Sequence, residues 1–129
     1  LKYKLKPLSI VKSYLYEEKS EYLSIRYDNV SYAIGEYLFS NFYVKGNIVL
    51  IDIWNEDFCV YYGSTFISKK IYNPTYFEII VEANKAIKKK RDYNHTFFKG
   101  LNEIFPDKVY EYAGILPKKN IRYFEICFR

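Results

Sequence analysis

Asn73 to Arg91, NPTYFEIIVEANKAIKKKR, is the stretch in which a helix start, an apolar face and a helix stop can be read together. Asn73 has an N-capping side chain, whose oxygen can accept a first-turn amide proton, and Pro74 suits the N1 position, where a missing N–H costs nothing. The pattern predicts a helix over 73–91. At about 100° per residue, Tyr76, Phe77, Ile80, Val81, Asn84 and Ile87 share one side, and Ile79, Ala83 and Ala86 widen it. Glu78, Glu82, Lys85 and Lys89 form a narrow polar strip. The apolar arc spans roughly 200° in this projection, about twice what a single sheet covers. A second cover is therefore expected, supplied by another segment of the chain or by a partner.

Lys85, Lys88, Lys89, Lys90 and Arg91 wrap the whole circumference of the same helix. Cations at the negative end of the macrodipole contribute ~0.3–1 kcal/mol each, so a solvated basic terminus accounts for them. A dense cation cluster is also the electrostatic footprint of phosphate binding, which makes these five the candidate anion or nucleic-acid contacts. Lys69, Lys70, Lys118 and Lys119 could join them.

At 129 residues the chain is long enough for a core without staples, and no linker, repeat or low-complexity tract divides it. A single compact domain over 1–129 is expected. No apolar run approaches the ~18 residues of a membrane span, and no signal peptide is legible, so a soluble cytoplasmic protein without membrane contact is expected. Phe, Tyr, Ile, Asn and Lys make up 66 of the 129 residues, against 17 for Gly, Ala, Arg and Pro. The first set has AT-rich codons and the second GC-rich ones, which points to an AT-rich genome such as that of a virus or mobile element. Codon bias thus supplies much of the tyrosine and lysine that would otherwise suggest a nucleic-acid stacking surface. DYNHTFFKGL, residues 92–101, resembles short segments of uncharacterised proteins of large DNA viruses, and the resemblance implies no chemistry.

Charge is uneven along the chain. Residues 1–68 carry 7 Lys/Arg against 8 Asp/Glu, whereas residues 69–129 carry 13 against 7, a net of +6. Lysine outnumbers arginine 16 to 4, favouring diffuse phosphate attraction over bidentate base readout. Any nucleic-acid binding would have little sequence preference.

Taken in order, Tyr14 and Tyr16 run into EEKS, and Leu23, Ile25 and Tyr27 alternate on the return, the pattern of a hairpin. Ile10, Val11, Tyr14 and Leu15 also fit helical spacing. Val30, Ile34, Tyr37, Leu38 and Phe42 follow the capping candidates Asp28, Asn29 and Ser31 at helical spacing, predicting a shorter helix near 30–41. Asn47 to Trp54, NIVLIDIW, is a strand too apolar on both faces to be an edge. Turns at 55–57 and 63–64 lead through Phe58–Tyr62 to Thr65–Ile71, an antiparallel meander. HTFFKGLNEIF fits a helix through Phe97, Phe98, Leu101, Ile104 and Phe105, or a strand over 98–101; Gly100 would cost a helix about 1 kcal/mol. Pro106 and Asp107 end it. Val109–Leu116 and Ile121–Phe128 flank PKKN as a hairpin, with Phe124, Ile126 and Phe128 on one face. The fold class is α+β: an antiparallel sheet, meander plus C-terminal hairpin, packed against the central helix 73–91.

Chemistry-bearing residues are sparse. Cys59 and Cys127 lack a CxxC spacing and, with His95 the sole histidine, cannot compose a four-ligand zinc site. Free, partly covered thiols are expected. Asp92, His95 and a cysteine make a triad on paper, but no nucleophile lies in a strained turn or at a helix N-terminus. His95 reads instead as a hydrogen-bonding residue of the loop after the helix. Asp52 interrupts a strand between Ile51 and Ile53 and is expected to face solvent; with Glu56 and Asp57 it could instead hold Mg²⁺ or meet a basic partner. No phosphate loop, HExxH, GxSxG, EF-hand or dinucleotide fingerprint occurs. No catalytic residue, metal or cofactor is expected. The wide helix arc and an aromatic content of 21% point to a small non-catalytic protein acting through protein–protein contacts or self-association. It would be an accessory or inhibitor protein, or an assembly subunit. A sequence-nonspecific nucleic-acid binder using 85–91 is the alternative.

Overall fold

Thr75, not Asn73, starts the long helix. In the computed structural model, which describes residues 8–15, 20–33, 44–53 and 65–129, α1 runs Tyr76–Lys90. The Thr75 hydroxyl accepts from the Glu78 amide at 3.2 Å while the Glu78 carboxylate accepts from the Thr75 amide at 3.1 Å, a reciprocal capping box. Thr-x-x-Glu outcompetes Asn73 because it satisfies two orphan amides at once. Asn73 ties the helix entry to β4 instead. At φ 43° its amide donates to the Gly46 carbonyl at 2.9 Å, and its side chain accepts from the Gly46 amide. Arg91, at φ 57°, closes the helix in the left-handed conformation.

Two sheets cover α1. In the first, β1 (Leu8–Leu15), β2 (Ser20–Tyr27) and β3 (Val30–Ala33) are antiparallel in sequence order. The expected hairpin is present; its turn, 16–19, lies outside the described residues. The shorter helix near 30–41 is overturned over its first turn. Tyr27 pairs with Val30 across a two-residue loop, Asp28–Asn29, with Asp28 at φ 49°. This hairpin geometry alternates Val30 and Tyr32 into the core, which helical spacing alone could not distinguish. The rest of that segment, 34–43, is outside the described residues.

The second sheet is mixed, in the order β5–β4–β8–β7: β4 (Asn47–Asp52), β5 (Phe66–Ile67), β7 (Phe98–Ile104) and β8 (Ile121–Phe128). β6 (Ile71–Tyr72) also pairs with β4. As its composition implies, β4 is interior, but its neighbours differ from the expected meander. β5 and β6 lie along it on one side, and β8 pairs with it in parallel on the other, Asn47 opposite Ile121. The strand expected at Phe58–Tyr62 is outside the described residues. β7 settles the ambiguous segment as extended chain, and Gly100, at φ 150°, sits where its register slips against β8. Val109–Leu116 is not a strand: α2 spans Pro106–Ala113, so β8 finds its antiparallel partner in β7. Pro106, read as a stop, is equally a helix-starting residue, Asp107 suits the first turn, and Gly114 at φ 69° caps the end.

The apolar arc of α1 is thus closed by the chain itself. Tyr27, Val30 and Tyr32 of the first sheet and Ile48, Leu50, Phe66, Phe124 and Ile126 of the second share one cluster with its apolar side chains. Tyr27 meets Phe77 edge-on at 5.4 Å, and Tyr76 meets Phe98 at 5.8 Å. The sheets are joined where Ser31 bridges Phe97 and the Ser31 amide donates to the Thr96 carbonyl at 3.0 Å.

Asn84 has a reason to sit on this apolar side. Its side-chain oxygen accepts from the Asn29 amide and its NH₂ donates to Asp28, both at 2.9 Å, fastening the β2–β3 turn to the helix. Replacing Asn84 with alanine or leucine is expected to lower stability by ~1–3 kcal/mol, because the Asn29 amide loses its acceptor. Urea denaturation checks this; a leucine variant as stable as wild type would show that volume alone matters there.

Candidate functional site

One member of the basic run, Lys90, lies in the core rather than on the surface. Lys90 is buried and donates to Asp52 at 2.8 Å, the two side chains being 7% and 5% exposed. The solvent-facing position expected for Asp52 is therefore overturned. Ile48 and Leu50 point at α1, and the two-residue period of β4 sends Asp52 the same way. Burial pushes its carboxyl up to about 6, with Lys90 pulling the other way and Glu125 and Asp92 adding to the rise. Its second oxygen has no hydrogen-bond partner among the described residues. Burial also raises Glu125, again opposed by Lys90.

The other four cations are scattered. Lys85 reaches the buried Glu82 at 3.3 Å, Lys88 reaches Asp28 at 3.0 Å, and Lys89 and Arg91 are exposed. Three of the five therefore hold carboxylates, and of those three only Lys90 is buried. Cations around the whole circumference of a helix end do not imply water all around it, because here the core reaches as far as Lys90.

Of the other chemistry-bearing residues, Asp92, His95 and Cys127 are among those described. His95 Nδ1 lies 3.0 Å from Asp92 in the loop after α1, as its position suggested. Cys127 is a free thiol that accepts from Asn102 Nδ2 at 3.1 Å, and burial raises it away from the thiolate. Cys59, Glu56 and Asp57 lie outside the described residues. Among the described residues no three His, Cys, Asp or Glu side chains are placed to hold a metal ion.

The opposite face of the second sheet has a different character. Val49, Ile51 and Tyr123 form a smaller cluster with Ile104 and Val109, covered by α2. That helix is eight residues long and buries only Val109. Beside it runs a groove of about 400 Å³, floored by Val49 and Tyr123 and walled by Ile67 and Ser68 on one side and Ile115, Leu116 and Ile121 on the other. Lys70 and Lys118 complete the lining.

Both walls are anchored. The Tyr123 hydroxyl accepts from the Lys118 amide at 2.9 Å, pinning the segment after α2. Ser68 holds the break between β5 and β6: its amide donates to the Leu50 carbonyl and its hydroxyl accepts from the Leu50 amide, each at 2.8 Å. Leu116 is 76% exposed at the rim, and Phe105, Tyr110 and Tyr112 are exposed on and just before α2. The groove stays hidden while 109–116 is taken for a strand. The signal that could have found it is Pro106–Asp107 followed eight residues on by Gly114.

No helix among the described residues is long and apolar enough to cross a membrane. Comparison with protein-family models, curated proteins and solved structures finds no match for this chain.

Proposed function

We propose that this is a small, non-catalytic binding protein that works through protein–protein contacts made by the α2 side of its second sheet. The observation that carries the reading is the anchored apolar groove with Leu116 standing 76% exposed at its rim. A patch of this kind, with aromatic side chains around a small covering helix, has the composition of an interface. The α1 arc, whose width calls for a second cover from the chain or from a partner, is occupied by the chain's own first sheet and lends a partner no support. The nucleic-acid alternative is weakened by the ion pairs of Lys85, Lys88 and Lys90. An accessory or inhibitor protein, or an assembly subunit, fits such a module, and the AT-rich composition supports a viral or mobile-element source.

Leu116→Glu tests this directly. Because Leu116 is exposed, the substitution should change stability by no more than ~0.5 kcal/mol. It is expected to abolish cross-linking to whatever protein the wild type captures, or the wild type's self-association in light scattering. Lys89→Ala with Arg91→Ala should leave both intact. A monomeric wild type that captures nothing, or capture that survives Leu116→Glu and fails with the double alanine variant, would reject the proposal.

A further inference from the structure

We infer that the groove beside α2 receives a single large apolar side chain carried on an acidic segment of a partner protein. The inference rests on the protein-binding reading above and adds the chemistry of the partner.

Size sets the first constraint. At about 400 Å³ the groove lies near the small end of the ~300–1,000 Å³ range of ligand pockets, room for one leucine or phenylalanine side chain and its backbone. Apart from the two lysines its lining is aliphatic except for the aromatic Tyr123 and for Ser68, and the hydroxyls of both are engaged by backbone.

Charge decides the rest. The two wall segments, 65–72 and 114–121, hold Lys69, Lys70, Lys118 and Lys119 and not one carboxylate. All four lysines are exposed, and Lys70 and Lys118 line the groove itself. A carboxylate-rich segment would meet these cations while its apolar side chain enters the groove, gaining association rate from the field and affinity from burial. A second copy of this chain is the wrong occupant, because a two-fold interface here sets the same lysines against each other. Nucleic acid is also disfavoured: single-strand binding wants open aromatic faces, and the one aromatic residue of the groove, Tyr123, is 3% exposed.

Fluorescence anisotropy with the full chain and three labelled peptides tests the inference. The first peptide is a run of Asp, Glu and Ser with one central Phe; in the second the Phe is Ser; in the third Lys replaces every acid. The first is expected to bind, the second about tenfold more weakly and the third not at all. Lys70→Glu with Lys118→Glu should weaken the first peptide about tenfold, and rising salt should weaken it further.

Each of these results would overturn the inference: equal affinity for the first two peptides, indifference to the charge reversal, no binding of the first peptide at about 1 mM, or tighter binding of a single-stranded oligonucleotide that Leu116→Ser leaves unchanged. A protein captured through Leu116 that proved neutral or basic would remove this inference and leave the protein-binding reading standing.

Discussion

Lys90→Ala is expected to destabilise the protein by ~3–5 kcal/mol at neutral pH, because it leaves the Asp52 carboxyl buried without its counter-ion. The pH dependence gives the prediction its sharpest form. Burial raises Asp52 to about 6 from an ordinary value of 3.8, so the native state takes up this proton more readily than the unfolded chain. The stabilisation associated with that proton is complete at pH values below the ordinary one and is lost as pH rises through about 6. Two pH units correspond to ~3 kcal/mol at 1.36 kcal/mol per unit. Removing Lys90 takes away the one influence holding Asp52 down, so the carboxyl of the variant moves further up.

The cost of Lys90→Ala should therefore be smaller at pH 5 than at pH 8, where Asp52 must either ionise without a partner or hold its proton against the solution. Glu103, held low by its hydrogen bond with Arg122, titrates in wild type and variant alike and cancels from the difference. Asp52→Leu with Lys90→Met should recover most of the loss, since a buried pair replaced by apolar groups of similar volume is often neutral. Urea denaturation of the wild type, the single variant and the double variant at both pH values makes the comparison. A cost below ~1 kcal/mol that ignores pH would mean the pair is solvated.

Removing Ile121–Arg129 should abolish cooperative unfolding altogether. β8 lies between β4 and β7, and its loss deprives both strands of their shared ladder. It also takes Phe124 and Ile126 from the cluster around α1 and Tyr123 from the cluster under α2, so both faces of the sheet fail together. Phe124→Ala is the graded form, expected to cost ~3–5 kcal/mol. Thermal melts followed by circular dichroism check both, and a shortened protein that keeps a sharp transition would contradict this account of the sheet.

Elements whose signal is local were legible. Fifteen residues of α1 show the helical period, β4 shows apolar side chains on both faces, and β2 alternates after its turn. What one-dimensional pattern lacks is the identity of neighbours. Asn47 and Ile121 are far apart in sequence, and nothing local says that their strands run in parallel. α2 is too short for its period to outweigh β-favouring Val109, Tyr110 and Tyr112, and Pro106 is compatible with both a stop and a start.

The candidate sites divide the same way. Local chemistry identified the five cations of α1 and the lysines at 69–70 and 118–119 as residue types with a charge to place. Their fates were set by tertiary contacts: Lys90 met Asp52 because α1 and β4 end side by side, whereas Lys70 and Lys118 were brought to opposite walls of one groove. Periodicity is a property of neighbouring residues and survives in the bare sequence. A buried ion pair or a groove is a relation between segments that meet only when the sheet closes, so its position is decided by packing.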